Sequence, residues 1–147
     1  LFSKSFVFYD SISKETNTKT ILLQNYGSFL ALKKKGDFEN KCDSVYKAVE
    51  HNITLLKQVD SNLRVIPSGY LVKEFILKYP KARTKLLFSM HPHKNIQYLL
   101  SCLLYSELTG KSPVNLTYNY KIKPSFAKEI RTMVWEQYLK SHNKNPI

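Results

Sequence analysis

The chain has 147 residues, 43% of them apolar, and 23 Lys+Arg against 11 Asp+Glu give it a formal net charge of +12 and a pI of about 9.7. That is the size of one domain with material for one core. Two cysteines exclude a disulfide framework, and no apolar run approaches the roughly 20 residues that cross a bilayer as helix.

The N-terminal third reads as strands. Ser5 to Ile12 is aromatic and β-branched, and Thr20 to Gln24 and Ser28 to Lys33 flank the turn signal Asn25-Tyr26-Gly27. The expectation is a three-stranded antiparallel meander, broken at Gly36-Asp37. Asp37 is a good N-cap and Glu39 suits a first turn. From there Phe38, Cys42, Val45, Val49, Asn52, Leu56 and Val59 recur every four or three residues, a helical stripe to about Asp60. Pro67-Ser68-Gly69 opens a second helix that Pro80 stops, and Lys81 to Met90 is a short third.

A fourth helix is expected over about 93–108. Its apolar residues, among them Ile96, Leu99, Leu100, Leu103, Leu104 and Leu108, cover most of the circumference, which predicts a helix buried at the centre of the core. Gly110 ends it. Val114, Leu116, Tyr118, Tyr120 and Ile122 then alternate with polar residues, the pattern of a half-buried strand over about 114–122. Pro124-Ser125 begins a last helix, and Asn143 starts a polar tail. The expected fold class is α+β: the meander and the late strand in one sheet, packed on four to five helices. One basic domain spans 1–147, read as a piece of a longer protein because it opens on Leu1 with no secretory signal pattern.

Motifs for catalysis are sparse. Gly27, Gly36, Gly69 and Gly110 are scattered singly, so no phosphate-cradling loop is formed from clustered glycines. Asp37-Phe38-Glu39-Asn40-Lys41 carries a D-x-E-x-K spacing that, with Asp10, defines a metal-dependent nuclease reading. An acidic first helical turn explains the same residues. His91-Pro92-His93 with Cys102 sets up a metal reading, but His93 and Cys102 lie about 13 Å apart along a helix. No cofactor and no metal are therefore expected. The two Asn-x-Thr sequons, at Asn52 and Asn115, fall within expected regular elements, which argues against glycosylation. Cys42 and Cys102 read as buried thiols of an intracellular, reducing compartment, nucleus or cytoplasm.

The positive charge gathers where helix dipoles oppose it. Lys81, Arg83 and Lys85 open the short third helix, and His93 and Lys94 open the fourth. Lys121 and Lys123 precede the last helix, with Lys128 and Arg131 in its first turns, and Lys33-Lys34-Lys35 ends the meander. Backbone N–H groups and cations together hold phosphates. The bland alternative is a solvated, lysine-rich surface of the kind an AT-rich genome encodes. The leading expectation is a non-catalytic nucleic-acid-binding or nucleoprotein-assembly domain that contacts the phosphate backbone within a larger assembly. The second is an interaction module for an acidic protein surface or anionic lipid headgroups.

Overall fold

The structure, a computed structural model, describes residues 10–17, 19–24, 38–81 and 93–143, about 70% of them helical. The elements in chain order are β1 (Ile21–Leu23), α1 (Phe38–Val59), β2 (Arg64–Ile66), α2 (Ser68–Lys78), α3 (Lys94–Thr109) and α4 (Pro124–Asn143). The expected antiparallel meander is overturned. Ile21 pairs with Arg64, Leu22 with Val65 and Leu23 with Ile66, in parallel, and this two-stranded sheet is the only one among the described residues. Parallel strands need a crossover, and α1 lies within it. β2 is three residues between the Asp60 turn and Pro67, too short to show alternation in sequence.

Residues 10–15, expected in the first strand, are helical. Lys14 Nζ donates to Asp10 Oδ2 at 2.7 Å, one turn away, and Ser13 Oγ donates to the Asp10 carbonyl at 2.8 Å. The Asp10–Lys14 pair, one turn apart, favours helix over the β propensity of the neighbouring Ile12. Residues 5–9, 25–27, 28–37, 82–92 and 144–147 lie outside the described residues. With them go the rest of the meander, its turn, the Gly36-Asp37 break, nearly all of the expected third helix and the tail.

The helices read from periodicity stand close to their expected bounds. α1 buries Cys42, Tyr46 and Leu56, while Asn52 is exposed on its outer side. It packs antiparallel to α2: Lys73 Nζ meets Asp43 Oδ1 at 2.5 Å, and the buried Tyr46 hydroxyl donates to the Gly69 carbonyl at 2.6 Å. α3 packs between α2 and α4 and fully buries Ile96, Leu99 and Leu103. It is not buried on all sides as expected, for Leu104 is 42% and Leu108 58% exposed. α4 answers with Ala127, Ile130 and Val134, all fully buried. Cys102 sits in this core as a thiol, and burial pushes its pKa up to about 11.

The expected late strand over 114–122 is also overturned: this segment is loop and turn. Of its alternating set only Ile122 is buried, whereas Leu116, Tyr118 and Tyr120 are exposed. Side chains replace the sheet ladder. Tyr98 Oη donates to the Tyr118 carbonyl at 2.7 Å, and Arg131 Nε donates to the Val114 carbonyl at 3.2 Å. Arg131 Nη1 reaches both Tyr98 Oη at 2.7 Å and Asn119 Oδ1 at 2.8 Å. Residues 119–122 close a turn in which the Ile122 N–H donates to the Asn119 carbonyl at 2.9 Å. Tyr120 and Lys121 take φ of 47° and 55°, the signs of a type I′ turn normally given to Asn-Gly. Asn115 consequently lies exposed on a loop, not in a strand.

That loop decides the layout. It carries the chain from the C-terminus of α3 back to its N-terminus, so α4 starts beside the start of α3 and runs parallel to it. Lys94 Nζ donates to the Lys121 carbonyl at 3.1 Å at one end. At the other end His142 Nε2 stands 3.7 Å from Glu107 Oε2.

Candidate nucleic-acid interface

Because α3 and α4 run parallel, both N-termini open at the same end of the molecule, and their dipoles point the same way. Lys94, Lys121, Lys123 and Lys128 are all exposed there. α2 delivers its last turn to the same end. Tyr79 meets Phe126 edge-on with ring centroids 4.9 Å apart, and its hydroxyl donates to Glu129 Oε2 at 2.6 Å. Lys78 shares a shallow groove of about 320 Å³ with Ser125, Lys128 and Glu129, and Lys81, exposed, follows three residues later. Among the described residues none of these six lysines forms an ion pair.

The residues expected to bind anions divide into three groups. Lys81, Lys94, Lys121, Lys123 and Lys128 come together as described. Lys33, Lys34, Lys35, Arg83 and Lys85 lie outside the described residues. His93 and Arg131 serve the fold. His93 caps α3, its Nδ1 accepting a long 3.5 Å bond from the Asn95 N–H. Arg131 is 6% exposed, and its guanidinium is committed to the three acceptors that hold the 114–122 loop.

The opposite end holds a cluster that sequence reasoning missed. Glu107 is 3% exposed, and Arg64 Nη2 donates to its Oε2 at 2.8 Å and to its main-chain carbonyl. Glu107 Oε1 and Gln24 Oε1 are buried without a described donor. Both residues line a cleft of about 630 Å³ with Glu50, Lys57, Tyr70 and His142. One signal for Glu107 was legible: it is the single acid in a helix otherwise apolar around most of its circumference, where a carboxylate needs a cation. Arg64, 43 positions away, carried no mark of the pairing.

Ser141, His142 and Glu107 follow one another in this cluster, with Ser141 Oγ 3.2 Å from His142 Nδ1. Nucleophile activation requires the imidazole to take the hydroxyl proton. Here Ser141 Oγ donates to the Tyr138 carbonyl at 2.9 Å, and His142 Nδ1 lies 2.9 Å from the same oxygen. Both side chains therefore close the last turn of α4, where a histidine suits the dipole.

For the D-x-E-x-K reading, the Asp10 carboxylate is taken by Lys14, Glu39 is exposed on α1 4.0 Å from Lys73, and Asp37 lies outside the described residues. Among the described residues no three His, Cys, Asp or Glu side chains converge as a metal site, and no helix is long and apolar enough to cross a membrane. No family model matches the chain, and neither a curated protein nor a solved structure matches it.

Proposed function

We propose that this chain is a non-catalytic domain that binds nucleic acid through its phosphate backbone, as part of a larger assembly. The observation that carries the reading is the convergence of two parallel helix N-termini with Lys94, Lys121, Lys123 and Lys128 at one end. Dipole and side-chain charge there have the same sign, a local cost to helix stability that a bound phosphate removes. The two buried thiols support a reducing compartment. A second reading, an acidic protein as partner, draws on the same lysines.

The test separates a local patch from net charge. Lys121→Glu/Lys123→Glu removes charge at the basic end; Lys47→Glu/Lys57→Glu makes the same change on exposed positions of α1. Affinity for a labelled oligonucleotide at low salt should fall about tenfold or more in the first variant and far less in the second. Equal losses contradict the patch and leave only nonspecific attraction to a basic protein.

A further inference from the structure

Beside the lysines stand two rings that the fold leaves uncovered. Tyr118 is 71% exposed and Tyr120 39%, with centroids 6.4 Å apart. The loop that carries them is held in place, and so is the Tyr120 ring. The Tyr118 main chain is fixed by Tyr98, the intervening Asn119 by the buried Arg131, and the Tyr120 hydroxyl donates to Gln97 Oε1 at 3.1 Å. The turn that presents them puts Tyr120 and Lys121 at positive φ, where side-chain-bearing residues are uncommon. Lys94 bonds to the Lys121 carbonyl, Gln97 accepts from the Tyr120 hydroxyl, and Lys123 follows the turn.

Solvent-facing aromatic rings among cations match one polyanion better than another. A duplex hides the faces of its bases in its own stack and offers only phosphates. A single strand offers phosphates and unpaired base faces together, and stacking on aromatic side chains is how such strands are held without sequence preference. We infer that Tyr118 and Tyr120 form a stacking platform for unpaired bases and that the nucleic acid bound at this end is single-stranded, with Lys94, Lys121 and Lys123 along its phosphates. The inference rests on the phosphate-binding reading and narrows it.

Fluorescence anisotropy with a labelled single strand of about 15 nucleotides, the matching duplex and a labelled poly-glutamate tests it. Tyr118→Ala is the main variant, because the exposed Tyr118 ring makes no hydrogen bond that holds the loop; Tyr118→Phe keeps the ring. The single strand should bind about tenfold or more tighter than the duplex. Tyr118→Ala should weaken the single strand by about five- to a hundredfold and leave the duplex unchanged, and Tyr118→Phe should bind as the parent does. Single strand and duplex bound equally, with Tyr118→Ala silent, overturns the stacking platform while phosphate binding stands. Neither nucleic acid bound at low salt, or poly-glutamate bound more tightly than both, overturns phosphate binding and the platform with it.

Discussion

Replacing Arg131 by alanine would leave the Asn119 side-chain oxygen and the Val114 carbonyl without their donor and open a void beside Tyr98, at a position 6% exposed. Unmaking a buried charged donor with several acceptors costs about 3 kcal/mol. Arg131→Ala should therefore lower the unfolding free energy in urea by about that amount, whereas Lys128→Ala, one turn earlier and exposed, should stay within about 0.5 kcal/mol. Equal small effects would show that Arg131 is surface charge after all. The sequence placed both residues in one basic run, because charge is visible along a chain and burial is not. What separates them is Tyr98, 33 positions away. Glu107 makes the same point from the other sign: its isolation in an apolar helix was legible, its partner Arg64 was not.

The four long helices were read well because their signals are local. Apolar spacing, Pro67 and Pro124 at their starts, and Gly110 at an end all act within a turn or two of chain. Gly110 is the sharpest of these. Its φ of 68° is the left-handed end of α3, and its N–H donates to the Ser106 carbonyl at 2.8 Å. A Cβ there would meet only the Tyr138 hydroxyl at 3.8 Å, so strain in φ alone sets the cost. Gly110→Ala should lower stability by about 1 kcal/mol, read as a shift in urea midpoint with an unchanged slope. A larger loss would mean that packing against α4, not the backbone, dominates. Strand signals failed for a physical reason. Alternation predicts burial only when the apolar member is driven inward, and tyrosine is content half in water. Tyr118 and Tyr120 kept the pattern without the consequence, and the backbone found Tyr98 and Arg131 in place of a neighbouring strand. β1 was visible, but its partner β2 came from beyond α1, a pairing no local pattern encodes.

The lysines at the starts of the last two helices were legible as a breach of dipole preference. Their assembly into one surface was not, because it depends on the 110–123 loop returning along α3 to make α3 and α4 parallel. A short turn after Gly110 would have set the helices antiparallel and sent Lys94 and Lys123 to opposite ends. Clusters of phosphate contacts leave a thermodynamic mark. Each phosphate neutralised on a single strand releases about 0.7 counterion. The most direct measurement is the affinity for a labelled single strand over a series of salt concentrations. Three or four lysines engaged together predict a plot of log affinity against log salt with a slope of about −2 to −3, made shallower in Lys121→Glu/Lys123→Glu. A slope near zero, or no binding at the lowest salt, would contradict the account.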